Sequence, residues 1–177
     1  MSNLDLPGNA GLGNQSTQDQ QIIAATTALL VGSTISIPVG KLRAGTVFRF
    51  TLSVTKTNAG TAGNIFVFQL GTNGSVADAD ILTFTLPTAT GVVDTAWIEI
   101  LITIRGPLSS ACKAQGQLSM SHNLQITGFA TIPCVVINVL SGVFDATVAN
   151  LIASLVCTTA ASTVLTFQQV VAEAWNL

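Results

Sequence analysis

The sequence predicts an all-β protein: a two-sheet antiparallel sandwich of the jelly-roll kind, preceded by an extended N-terminal arm. Three observations carry this. About eight to ten segments alternate apolar and polar residues with period two, as half-buried strands do. Clusters of Gly, Pro, Asn and Asp separate them, as turns require. No stretch has a convincing amphipathic helical pattern, and the strand count and the 177-residue length suit two packed sheets around one core. The expected division is an arm over residues 1–21 and a single domain over residues 22–177.

The arm contains Gly8, Gly11, Gly13 and a polar run over 15–21, with no Val, Ile, Phe or Trp. Leu4, Leu6 and Leu12 are its large apolar side chains besides Met1. Such a composition cannot offset its own ordering entropy. It is therefore expected to lie on a partner, held by backbone hydrogen bonds, and not to help the domain fold. Residues 34–37 form a short strand closed by Pro38, and 41–45 a turn. Over 47–55, Phe48, Phe50, Leu52 and Val54 share one face. Over 65–70, Phe66, Phe68 and Leu70 point inward, and over 81–86 Leu82, Phe84 and Leu86 do so. The clearest strand, 95–105, places Ala96, Ile98, Ile100, Ile102 and Ile104 on one face and Trp97, Glu99, Leu101, Thr103 and Arg105 on the other. Residues 116–124 group Leu118, Met120, His122 and Leu124. The segment 132–140 is more uniformly apolar than the others and is expected to be buried on both faces. A helix is conceivable over 146–155, but its β-branched residues and context favour a strand over 149–157. The last strand, 164–174, changes face near Gln168-Gln169, which predicts a β-bulge.

The polar faces of these strands are almost uncharged. Only 8% of residues are Asp, Glu, Lys or Arg, against roughly 25% in an ordinary soluble domain. A lone β domain protects its surface and edges with charge, Lys above all. A chain that omits this protection is expected to pack in an assembly, and a homotrimer is the expected form. The net charge of -2 and six scattered basic residues exclude a nucleic-acid surface. Mean hydropathy is +0.62, yet the longest apolar run, 22–31, contains two Thr and falls short of the roughly 18 residues of a spanning helix. The N-terminus has no basic patch before an apolar core, so no secretory signal is expected. A membrane barrel would want aromatic girdles, and the chain has two Trp and no Tyr. Three cysteines, Cys112, Cys134 and Cys157, suit reduced, buried thiols in a protein made in a cytoplasm.

No spacing carries recognisable chemistry. His122, the one histidine, follows the apolar parity of Met120 and is expected as a neutral core residue bonded to backbone. Asp78, Asp80 and Asp94 sit at loops and are expected to cap turns; the calcium-loop pattern, with its Gly and distal Glu, is absent. The Cys and His positions do not have zinc spacing. Gly71-Thr72-Asn73-Gly74 lacks the Lys-Ser/Thr of a phosphate loop. The reading is therefore no catalytic residue, no metal, no cofactor and no enzyme. Trp97, outward on its strand, joins Leu4, Leu6 and Leu12 as a candidate partner anchor; Trp175 is equally ambiguous between packing and contact.

The stretch FRFTLSVTKTNAGTAGNIFVFQLGTNGSVADADILTFTLP, the strand TAWIEILITIRG, the segment LSMSHNL with its TGFAT sequel and the close VLTFQQVVAEA resemble β-sandwich structural proteins of tailed bacteriophages. The resemblance runs over about residues 34–174 and consists of structural phrases without an active-site motif. It implies a virion protein, made in the host cytoplasm: above all a head decoration or cement subunit, commonly trimeric, with the arm on the major capsid protein or another virion protein. The other part it implies is a tail or fibre tip that recognises a host glycan or protein.

Overall fold

The computed structural model describes residues 11–177, so Leu4 and Leu6 lie outside the described residues. Among the described residues there are no helices, and the strands are β1 (Leu12–Ser16), β2 (Gln20–Ile22), β3 (Thr27–Leu29), β4 (Ile35–Ser36), β5 (Val47–Thr57), β6 (Ile65–Gly71), β7 (Asp80–Thr85), β8 (Asp94–Arg105), β9 (Lys113–His122), β10 (Cys134–Leu140), β11 (Ile152–Thr158) and β12 (Val164–Trp175). One sheet has the order β1-β12-β5-β8-β9-β10, with β2 also on β12. The other has the order β3-β11-β6-β7, with β4 also on β11. All pairings are antiparallel.

The strand order becomes familiar once β1 with β2, and β3 with β4, are each taken as one interrupted strand and the β9–β10 hairpin is set aside. Eight strands remain, ordered 1-8-3-6 in one sheet and 2-7-4-5 in the other, which is jelly-roll order. The β9–β10 hairpin is an addition that widens the first sheet beyond β8.

This order corrects the boundary of the arm. Residues 12–22 run antiparallel along β12, Ser16 opposite Val170 and Gln20 opposite Phe167. They fill the place of the first jelly-roll strand. Their break at 17–19 faces the predicted bulge, where the register of β12 shifts between Phe167 and Gln169. Hydrophobicity alone misses this strand because an edge strand is held by backbone hydrogen bonds, which any polar sequence supplies. The expected partner for these residues is thus the chain's own β12. Leu12 packs partly buried against the core, and Ile22 is fully enclosed.

The core lies between the two sheets, where the inward rows meet. Phe48 and Phe50 of β5 pack on Phe68 of β6 at ring separations of 5.4 and 6.0 Å. Phe66 meets Phe167 of β12 edge to face at 6.3 Å, a favoured aromatic geometry. The isoleucines of β8, with Leu118 and Met120 of β9, continue this layer. Gly116 has a specific reason: a Cβ there would meet Phe84 at 2.5 Å and Leu82 at 2.9 Å, so the bare backbone lets β7 pack under the hairpin. Leu124 departs from expectation, since the strand ends at His122 and its side chain is partly exposed.

Two late strands exchange their expected environments. The segment expected to be buried on both faces became β10, which covers only Val135 fully and leaves Val136 58% and Leu140 57% exposed. The strand that is buried on both faces is β11, which begins at Ile152 and not at 149. It lies in the middle of its sheet, whereas β10 pairs with β9 alone. Position in the sheet, which the local pattern does not encode, decides the difference.

Removing residues 1–21 is expected to lower stability by about 1 kcal/mol or more, because β12 loses its edge partner and Leu12 its partial burial, and not to leave it unchanged as the arm reading implies. Urea denaturation of intact and truncated chains measures it.

Candidate functional site

Ionisable side chains converge inside the sandwich at one end. The inward parity of β5, Phe48 through Val54, reaches Lys56; that of β8, read backwards from Ile98 and Ala96, reaches Asp94; that of β9 reaches His122. Lys56 and Asp94 are register partners, and His122 pairs with Ala96 beside them. All three are buried. The same alternation in the sequence extends to all three positions.

Every polar atom of this cluster has a partner. Lys56 Nζ donates to the carbonyl oxygens of Asn58 (3.2 Å), Thr90 (2.6 Å) and Val92 (3.4 Å). Burial pulls its amine below the ordinary lysine range, and the Asp94 charge partly offsets this. Asp94 Oδ1 accepts from the backbone N–H groups of Thr95 (2.8 Å) and Leu124 (3.2 Å). Its Oδ2 accepts from Phe129 N–H (3.2 Å) and faces His122 Nδ1 at 2.7 Å. His122 Nε2 donates to the Ile132 carbonyl at 2.8 Å. Gly128 has φ +89°, and a Cβ there would overlap the Asp94 carboxylate at 2.2 Å. Only glycine allows this approach.

The expected backbone bond of His122 is present, but the expectation missed its carboxylate, which arrives from 28 residues away. The pair still offers no catalysis. Both side chains are wholly enclosed, and both imidazole nitrogens are occupied, so neither can exchange a proton with a substrate. The cluster acts on loops instead: it ties 58–64, 87–93 and 123–133 across the open end of the sandwich.

Asp78 caps its turn as expected. Its carboxylate accepts from Asn73 N, Asn73 Nδ2, Gly74 N and Ser75 N. Burial alone would raise its pKa, but these hydrogen bonds together outweigh burial and hold it below the ordinary range. Asp80 accepts from Gln69 Nε2 at 2.8 Å. Among the described residues no three His, Cys, Asp or Glu side chains gather as metal ligands. Cys112 and Cys157 are buried, and burial pushes both thiols up. Cys134, expected among the buried thiols, is exposed on β10.

The surface feature of most consequence is the outer face of β8, β9 and β10. Register sets Trp97, Ser121 and Cys134 in one row, then Glu99, Ser119 and Val136, then Leu101, Gln117 and Asn138, then Thr103, Gln115 and Leu140. Glu99 is the one ionised side chain in these rows, and Arg49 Nε of β5 already pairs it at 2.8 Å. Along the edge, Ile132, Cys134, Val136 and Leu140 share one parity and are all exposed. Over β10 this ridge, interrupted by Asn138, runs ~20 Å at the usual strand rise. β10 carries no Lys, no Pro and no register shift, the devices that guard a free edge. Trp97 stands 47% exposed on the same face. Trp175 is half-buried at the end of β12, beside Gly11.

No protein-family profile and no curated protein matches this chain. Solved structures share its outline. A protein of unknown function from Shewanella oneidensis MR-1 is 8% identical with a TM-score of 0.41, covering 95% of this chain and 87% of its own. The CBM2 module of the evolved Dit of Lactobacillus casei BL23 phage J-1 is 12% identical with a TM-score of 0.34, covering 99% and 93%. The structure of infectious bursal disease virus Gx strain is 11% identical with a TM-score of 0.32, covering 97% of this chain and 36% of its own. At these scores the likeness is one of general outline and says nothing of activity or partners.

Two outcomes follow. Asp94→Ala and His122→Ala are each expected to cost about 3–5 kcal/mol, as removal of one partner from a buried pair does, and the double variant less than their sum; urea denaturation of the set measures this. For Asp78, the folded pKa lies below the unfolded one, so its contribution is complete above about pH 4. It is lost as pH falls through the folded value. The stability gap between native protein and Asp78→Asn, measured by urea midpoint at pH 7 and at pH 2.5, should therefore shrink at the lower pH.

Proposed function

We propose that this chain is a non-enzymatic structural subunit of a bacteriophage virion, a head decoration or cement protein that works as a homotrimer. One observation carries the assembly part: β10 has the sequence of a strand buried on both faces, yet the chain covers one. Val135, Ile137 and Val139 face the domain, and the ridge Ile132, Cys134, Val136 and Leu140 faces nothing in it. An uncharged apolar edge of this kind is retained where another protein covers it. A second copy is the occupant that suits a ridge free of charge. The sequence resemblance supports the virion setting, and the enclosed Asp94–His122 pair supports a structural role. Joined subunits would add buried area across a shell seam, and a symmetric trimer multiplies weak contacts through effective concentration. The N-terminal residues, with Leu4 and Leu6, join the subunit to the major capsid protein.

Light scattering tests the assembly. The native chain is expected as a trimer and Leu140→Lys as a folded monomer that melts cooperatively at a lower temperature, because it loses the stabilisation that assembly gives the folded state; a monomeric native chain at micromolar concentration overturns the reading. Cys134 reports on the same surface. In the folded Leu140→Lys variant one thiol per chain should react with a maleimide, and in the native assembly that thiol should be protected. Binding of intact and 1–10-deleted protein to undecorated capsids tests the anchoring role.

A further inference from the structure

We infer that the outer face of β8 and β9 holds a binding site for an uncharged saccharide, built around Trp97. The site is distinct from the β10 ridge and does not rest on the assembly reading. A shallow cleft of about 390 Å³ is lined by Ser53, Thr95, Trp97, Ser121 and Asn123, near the lower end of the range for ligand pockets. Ala96 and His122 also border it, with His122's side chain turned into the core and wholly enclosed.

Three features of the cleft select its ligand. First, Trp97 is 47% exposed, a large apolar plate left in water beside polar neighbours. Second, the hydroxyls of Ser53, Thr95 and Ser121 and the amide of Asn123 make no hydrogen bond to another described residue, whereas Thr159, Ser33 and Ser141 elsewhere are spent on backbone groups. Third, no side chain reaching the cleft is ionised. A ring of unspent neutral donors and acceptors around an aromatic plate is the complement of a sugar ring. One face of the sugar is a patch of C–H groups that lies on the indole, and its edge is a set of hydroxyls that both donate and accept. An anion would find no cation here. A protein side chain would bury these polar groups without matching them all, which costs free energy; the ridge on β10, which is apolar, is the better protein seat.

The test applies the full-length chain to an array of neutral bacterial oligosaccharides, with sialylated and sulfated ones alongside, followed by calorimetry with a bound neutral oligosaccharide. At least one neutral oligosaccharide should bind, Trp97→Ala should weaken it at least tenfold, and Trp97→Phe should retain part of the affinity. Melting temperature checks that each variant is folded, which an exposed position favours. Absence of binding across the array, binding confined to charged glycans, or an affinity unchanged in folded Trp97→Ala overturns the inference.

Discussion

A buried knot of Lys56, Asp94 and His122 closes one end of this sandwich, and the loops there depend on it. Burying ionised groups is expensive unless every donor and acceptor is matched. Here three carbonyls meet the ammonium group, and three backbone N–H groups and an imidazole meet the carboxylate. The partners come from loops far apart in the chain. Thr90 N–H donates to the Gly128 carbonyl and Gly128 N–H donates to Thr90 Oγ1, and the same cluster draws the two together. The inward rows of β5, β8 and β9 thus change from packing residues to polar ones where the core ends and loop backbone must be satisfied.

The rest of the structure divides between what the jelly roll needs and what it does not. Its eight strands bury the phenylalanine and isoleucine rows against each other. The β9–β10 hairpin is surplus to that arrangement. It extends one sheet past β8, and its outer strand has apolar residues on both faces but cover on one. The low charge noted in the sequence matters most here, because β10 has no charged residue and stands at the edge of its sheet, paired with β9 alone. Trp97 sits two strands from the ridge on the same face, among hydroxyls and amides, so one sheet presents two surfaces of different chemistry side by side.

Much of the fold was legible in the sequence because strand parity is local. The inward sets of β5, β6, β7 and β8, and the bulge near Gln168, follow from alternation and its interruption. The misreadings have a common cause. Residues 12–22 looked like an arm because edge pairing leaves no hydrophobic signature. The segments around β10 and β11 both looked apolar, and only the number of neighbours in each sheet distinguishes an edge from a centre. For the site, His122 was placed correctly on the apolar face, but its tie to Asp94 was not visible, since the two are brought together by the β8–β9 pairing and by a loop.

The sequence by itself determined the class of fold, the direction the long alternating strands β5 to β8 face and the scarcity of charge, because these depend on residue type and spacing of two. Tertiary structure alone decided which polar residues meet, which apolar strand stands uncovered and which tryptophan stands open in a polar cleft. Those are matters of strand order and register, and contacts between residues distant along the chain are set by how all the sheets pack at once, not by any local pattern.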